Sequence, residues 1–273
     1  MLEREHATPA SRGVGARTFL LAAISVCGLT AVMLAVDSGD RSSASGGARA
    51  ASDSAVGAVS AGRVIGRSAE GRPIRAFRVG ERSSARKALV VGSMHGDEPA
   101  GLRVVDALRG ARVTNVDLWV VPTINPDGLR ARRRQNARGV DLNRNFPYRW
   151  RRAGRRWSSY YSGPRPLSEP ETRAVKRLTR ELRPTVSIWY HQPWGHVVLP
   201  RRGRGVERRY ARLARFPARR LRGRYARLRG TAISWQKRVL PGRTAFVVEL
   251  PAAGVSPRAA RRHARAAVGV SGG

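Results

Sequence analysis

Cysteine is almost missing from this chain: Cys27 is the only one among 273 residues, and it lies inside an apolar run. Whatever follows that run has no disulfide and no cysteine nucleophile, so its core, and any metal it holds, must stabilise it. Val26 precedes Cys27 where a lipoprotein signal would place a small residue. Lysine is nearly as scarce. Lys87, Lys176 and Lys237 stand beside 50 arginines, a ratio that fits a GC-rich coding sequence as well as it fits selection for guanidinium chemistry. Acidic residues number only 18 against 53 basic ones, for a net charge of +35. Such a charge attracts polyanions at long range and in a salt-dependent way. Aromatic residues make up 6% of the chain and no nucleic-acid-binding motif is present, which argues against specific nucleic-acid recognition.

Long hydrophobic stretches are also rare, with one exception. Residues 18–36, TFLLAAISVCGLTAVMLAV, form an uncharged run of 19, long enough to span a bilayer as a helix. Arg4, Arg12 and Arg17 precede it and would keep residues 1–17 cytoplasmic. The run reads as a signal-anchor helix or as a signal peptide cleaved near Ala48-Arg49-Ala50; a buried core helix is the third possibility. Either of the first two exports the rest, and export turns the polyanion expectation toward an anionic cell wall or membrane surface. Residues 37–60 are rich in Ser, Gly and Ala without apolar periodicity and read as a flexible linker. Residues 61–273 are enough for one well-cored domain.

Four short apolar, β-branched runs follow: Ala88–Met94, Leu118–Ile124, Thr185–Tyr190 and Thr244–Val248. None has the polar alternation of a half-exposed strand, so each reads as a buried one. Helical patterns lie between them. The clearest opens at Ser168, where Ser168 and Glu171 predict a capping box, Ala174, Val175, Leu178 and Leu182 line one face, and Pro184 ends the pattern. Alternating strands and helices predict an α/β fold with a mixed, largely parallel central sheet and helices on both faces. The stretch RVIGRSAEGRPIRAFRVG reads as an edge hairpin.

Each buried run ends in polar residues. The first leads into His95-Gly96-Asp97-Glu98, the second into Asn125-Pro126-Asp127-Gly128, the third into His191-Gln192-Pro193 and the fourth into Glu249-Leu250-Pro251. Ligands bind beyond the carboxyl ends of strands in open α/β sheets, so these clusters should converge on one site. His95, Glu98 and His191 then make a three-ligand set of the kind catalytic zinc uses. An isolated HxxE is a common chance match, and a single buried His is more often a core residue; placement at strand ends gives the set its weight. Glu249 suits a general base, or else a buried carboxylate paired with one of the many arginines.

HGDE, NPDG, RQNARGVDLNRNFP, SGPRPLSEPET, a strand-end His and VVELP, in this order, resemble the zinc carboxypeptidases of the carboxypeptidase A type. The resemblance covers residues 61–270 or so. It implies one zinc ion held by His95, Glu98 and His191, with Glu249 as general base and Arg134 polarising the scissile carbonyl. It also implies that Asn143 and Arg144 grip a substrate's terminal carboxylate. The family's mobile tyrosine has no secure counterpart, Tyr225 being the nearest. In size the domain is similar to the bacterial murein peptide amidases, which implies a peptidoglycan stem peptide of the D-glutamyl-diaminopimelate type as substrate; export through residues 18–36 and a positive charge facing an anionic wall agree with it, and the enzyme is expected to act as a monomer. An aspartoacylase-like deacylase of small N-acyl amino acids is a second reading, and a non-catalytic wall-binding module a third. The remaining notable residues have plainer expectations: His196 at a pocket wall, His263 in a C-terminal helix, and 201–229 as a helical Arg-rich surface. Trp150, Trp157, Tyr160 and Tyr161 belong either to the pocket mouth or to the core.

Overall fold

The computed structural model describes residues 62–200, 205–223 and 227–272. The segments 1–17, 18–36 and 37–60 lie outside the described residues, and so does Tyr225. No helix among the described residues is long and apolar enough to cross a membrane.

The four apolar runs become β3 (Lys87–Ser93), β4 (Asp117–Thr123), β5 (Val186–His191) and β8 (Thr244–Pro251). They lie adjacent and parallel in the order β4-β3-β5-β8, at the centre of an eight-stranded mixed sheet. The continuous apolar character of these runs has a simple cause, since helices cover both faces. One face packs α1 (Ala100–Arg109), α4 (Gly205–Ala214) and α6 (Pro257–Ser271) over Val90, Leu118, Ile188 and Val248. The other packs α3 (Pro170–Leu182) and α5 (Ala232–Val239) over Leu89, Val121 and Trp189. On one side the sheet is extended by the antiparallel strands β2 (Pro73–Gly80) and β1 (Arg63–Arg67), the expected edge hairpin, with Gly71 at φ +80° in its turn. On the other side, β6 (Trp194–Leu199) runs antiparallel to β8 and carries the short β7 (Ala218–Arg220).

This order fixes where a site can form. From β3 the chain crosses through α1 to β4 on one side, whereas β5 lies against β3 on the other. The direction of winding therefore reverses between β3 and β5, and a crevice opens beyond their carboxyl ends. His95 follows β3 and His191 ends β5, so the topology sets both at that crevice. The β5–β8 register pairs His191 with Glu249, which brings the fourth strand's polar group to the same face.

Two local expectations are corrected. The capping box at Ser168 is not made: α3 starts at Pro170 with Glu169 as its cap residue and no side-chain cap. Ser168 Oγ instead donates to Glu169 (2.7 Å) and accepts from Asn145 Nδ2 (2.9 Å). Asn145 Oδ1 accepts from Glu169 N and Thr172 Oγ1, so the entry to this helix is tied from a distant loop. Among the described residues of the Arg-rich segment 201–229, α-helix is confined to Gly205–Ala214, because β7 follows and extends the sheet.

Behind the crevice, Asn136 Nδ2 donates to Glu169 (2.7 Å) and Glu171 (3.2 Å), while its Oδ1 accepts from the backbone of Arg138 and Val140. Burial, with Glu169 alongside, lifts the Glu171 carboxyl from 4.5 to about 6, although the Ala69 and Asn136 N–H groups favour its ionised form. In the window between those values the folded chain keeps a proton that the unfolded chain has lost. Stability therefore falls as pH rises through it, by roughly 2 kcal/mol in all. Urea unfolding of the wild type and Glu171→Gln at pH 4.5 and 6.5 should show that share of the pH slope missing in the variant. Equal slopes would refute it.

Candidate active site

The turn after β3 is built on a backbone contact. A Cβ on Gly96 would lie 1.9 Å from the carbonyl carbon of Gly128, so only glycine fits there. Gly96 N donates to Arg133 O (2.9 Å), which joins this turn to the loop that leads to Arg134. Glu98 N donates to His95 O (3.1 Å), and the tight turn directs both side chains into the crevice. Gln192 ties the strand ends together. Its Oε1 accepts from Ala100 N (2.9 Å) at the start of α1, and its Nε2 donates to Pro251 O (2.9 Å) at the end of β8.

Within this frame Glu98 sits between two imidazoles. Its Oε1 lies 2.9 Å from His95 Nδ1, and its Oε2 lies 2.8 Å from His191 Nδ1. Potential ligand atoms of His95, Glu98 and His191 all fall within 4.8 Å of one another, and all three residues are buried. The far nitrogen of His95, Nε2, contacts Asp141 Oδ1 at 3.0 Å. Asp141 is fully buried and also receives Arg134 through Nε (3.2 Å) and Nη2 (3.1 Å). Arg134 Nη1 reaches Glu98 Oε1 at 2.8 Å.

These residues fit a zinc ion. His95 Nδ1 is buried and makes no hydrogen bond of acceptable geometry, although it faces Glu98. Two imidazole nitrogens and one carboxylate match a catalytic zinc donor set. The carboxylate on the outer nitrogen of His95 is the partner that orients a metal-ligating histidine.

Charge points the same way. Burial opposes the ionised Glu98, but the His95 and His191 rings hold its carboxyl far below the usual range. Asp141 is likewise held low against burial by Arg134 and His95. Burial lowers His191, whereas His95 is raised because Glu98 and Asp141 together outweigh its burial. Glu249 is pushed up to about 8, by burial first and then by the Glu98 charge. Its Oε2 is buried without a partner. Two carboxylates in one crevice, one of them forced toward neutrality, describe a site short of positive charge.

A cavity of about 1130 Å³ opens from the ligand group past Arg134, Asn143, Arg144 and Glu249. Asn143 and Arg144 lie in a short 3-10 turn, Leu142–Arg144, that Asp141 caps by accepting from Asn143 N. Asn143 Oδ1 is taken by Ala232 N (3.1 Å), and Arg144 lies under the Tyr160 ring, 5.2 Å from its centre. The structure thus brings seven of the eight sequence-selected residues together; Tyr225, outside the described residues, is the eighth.

Several expectations resolve otherwise. The NPDG cluster does not reach the crevice. Asn125 caps α2 (Pro126–Ala131), and Asp127 binds Ser68, Arg72 and the backbone of Glu70, anchoring the edge hairpin. His196 is buried in β6 beneath Trp194 rather than on the cavity wall, whereas His263 lies in the C-terminal helix α6 as expected, buried there and 2.8 Å from the Tyr210 hydroxyl. Of Trp150, Trp157, Tyr160 and Tyr161, only Tyr160 lines the cavity. Asp141 was not singled out from the sequence. Its signal was its place two positions before Asn143 in the DLNR segment.

The family described as zinc carboxypeptidase matches residues 58–200, just over half of the chain. Murein peptide amidase A of Escherichia coli K12 is 35% identical over 148 residues, covering 50% of this chain and 61% of that protein. Carboxypeptidase SOL1 of Arabidopsis thaliana is 32% identical over 144 residues, 46% of this chain and 28% of that protein. The chain thus spans less than two thirds of either relative. The solved murein-tripeptide amidase MpaA of E. coli O157 superposes with a TM-score of 0.60 at 28% identity, over 76% of this chain and 90% of that one. Carboxypeptidase A of Helicoverpa armigera, at 19% identity, shares the fold with a TM-score of 0.67 over 78% and 68% of the two chains.

Removing the orienting carboxylate should loosen the site without emptying it. Asp141→Asn is expected to bind zinc about 10- to 100-fold more weakly in competition with a chelator. Near-normal circular dichroism would separate this from unfolding, and an affinity within twofold of wild type would exclude the role.

Proposed function

This chain belongs to the zinc carboxypeptidase family, and on that premise we propose that it is a zinc-dependent hydrolase of an amide bond near the carboxyl end of a peptide. The observation that carries the reading is the buried His95–Glu98–His191 group beside Glu249, facing Asn143 and Arg144 across one cavity. His95 Nδ1, a Glu98 oxygen and His191 Nδ1 are the atoms assigned to the metal. Zinc there would supply Lewis acidity to the scissile carbonyl and to water.

The chain's own groups do the rest. Arg144 and Asn143 Nδ2 receive the terminal carboxylate, and the planar guanidinium suits it. Arg134 donates N–H to the oxygen of the scissile carbonyl as negative charge develops on it. Glu249 takes the proton released by the attacking water and returns it to the leaving nitrogen. A C–O bond forms, the C–N bond breaks, and a carboxylic acid and an amine leave. All the residues this chemistry needs are present, which supports an enzyme over a binding module on the same scaffold.

For the substrate we favour a peptidoglycan stem peptide cut at a D-glutamyl–diaminopimelate type bond. Similarity to murein peptide amidase A supports this, as does a +35 chain suited to an anionic wall. The reading includes export through residues 18–36 and action as a monomer.

Purified chain should carry close to one zinc, lost in His95→Ala and His191→Ala. Glu249→Gln should keep the metal while turnover falls by about 10²- to 10⁴-fold. Near-normal turnover in that variant would end the proposed mechanism. Arg144→Ala should mainly raise KM for peptides with a free terminal carboxylate and have little effect on amidated ones. If amidated peptide is cut as well as free acid, the grip on the terminus is wrong. Export predicts that a reporter fused after Gly273 works only outside the cytoplasm, and activity confined to the cytosol would reject it.

A further inference from the structure

Helices α4 and α6 show solvent charge of one sign only. α4 exposes Arg208 and Arg212 one turn apart, with Arg215 exposed just past its end. α6 exposes Arg258, Arg261 and Arg265 at i, i+3 and i+7, a stripe about 10 Å long. The two helices pack on each other, which lays the two sets side by side at roughly 8–10 Å. Glu207, the single acid on either helix, is buried. The exposed acids among the described residues, Glu70, Glu81, Asp97, Asp106 and Glu181, all belong to other elements or loops. On the edge hairpin, by contrast, exposed arginine is answered by carboxylate: Arg63 pairs with Glu181 and Arg72 with Glu70.

Leu213 stands among these arginines, 46% exposed, and is the one large apolar side chain that either helix shows to solvent. A Cβ on Gly269 of α6 would lie 2.9 Å from its Cδ1, so Leu213 sits at the seam between the helices. Tyr210 and His263, the rings of the pair, are buried and bonded to each other, so no ring is offered for stacking on a nucleic-acid base. Guanidinium groups match phosphate oxygens in pairs, and basic clusters of this size on a helix surface suit anionic headgroups. A two-dimensional array with one apolar side chain at its seam fits a bilayer. Phosphates meet the arginines, and Leu213 enters between the headgroups.

We propose that the outer surface of α4 and α6 docks the protein on a phospholipid bilayer with anionic headgroups. Neither helix contributes to the lining of the cavity, so docking leaves the cavity free. It requires neither the reaction nor the export proposed above.

The test is co-sedimentation of the full chain with vesicles of pure phosphatidylcholine and of phosphatidylcholine with about 30% phosphatidylglycerol. Residues 1–60 are common to every variant, so neutral vesicles set the baseline and the gain on anionic ones is the readout. About 0.5 M salt should abolish that gain. An arginine at an anionic surface is worth about fivefold in partition. Arg208→Gln, Arg212→Gln, Arg261→Gln and Arg265→Gln combined should therefore weaken anionic-vesicle binding by about 100-fold or more. Arg75→Gln, Arg177→Gln, Arg180→Gln and Arg183→Gln combined, on α3 and the edge hairpin across the sheet, should stay within about fivefold of wild type. Leu213→Ser distinguishes a bilayer from a soluble polyanion. It should weaken anionic-vesicle binding by about 3- to 10-fold and leave binding to polyphosphate as it is. Circular dichroism like that of the wild type shows that each variant is folded. No gain on anionic vesicles, or equal losses in the two four-residue variants, would overturn the proposal. So would a Leu213→Ser variant that treats vesicles and polyphosphate alike, which would assign the face to a soluble anionic polymer.

Discussion

The buried carboxylate of Glu98 is the constraint on which this site depends. A carboxylate in a crevice with almost no exposure must be surrounded by donors or be neutralised. Here His95 faces it from the same turn, and donors reach it from His191 at the end of β5 and from Arg134 on the loop after α2. Gln192 N adds a third donor at 3.2 Å. His191 and Gln192 reach Glu98 only because β3 and β5 are neighbours, so the winding reversal is what completes the cluster. Asp141 extends the arrangement outward. It takes the outer nitrogen of His95 and two guanidinium nitrogens of Arg134, so one side chain orients both a ligand and a neighbouring cation.

The same electrostatics explain the state of Glu249. It has no cation of its own, stands near an ionised Glu98 and is removed from water, and its carboxyl rises to about 8. A positive ion among the ligands would act directly on the second of those causes. The pattern separates two carboxylates that the β5–β8 register and the β3 turn bring to one place. Glu98 is kept ionised by its neighbours, and Glu249 is left responsive to whatever binds. Environments that push titratable groups apart in this way are typical of acid–base sites.

Much of this was legible in the sequence because buried parallel strands leave a plain mark. Ala88–Met94 and its three counterparts are apolar without alternation, and the polar residues that end them must lie at one edge of the sheet. His95, Glu98, His191 and Glu249 follow from that rule and a count of strands. What could not be read depended on partners distant in sequence. Ser168 and Glu171 have the spacing of a capping box, yet Asn145 competes for Ser168, and Asn136 and Ala69 take Glu171. The NPDG cluster sits at a strand end like the others, but Asp127 is drawn away by Ser68 and Arg72 from the hairpin. Asp141 acts only through His95 and Arg134, so its importance emerges once those are placed. The strand β7, three residues long, carries too little pattern to announce itself within an arginine-rich stretch.

The scarcity of lysine has a practical side. Lys87, Lys176 and Lys237 are the only side-chain amines in the chain, and one of them stands in the wall of the cavity. Lys237 also loses its proton more readily than an ordinary lysine, because burial disfavours its charge. Acylating reagents attack the neutral amine, so this position is chemically addressable in a molecule whose other cations are nearly all inert guanidinium groups. Its labelling, read by mass spectrometry against Lys87 and Lys176 as internal standards, makes the chain a reporter of its own cavity's occupancy.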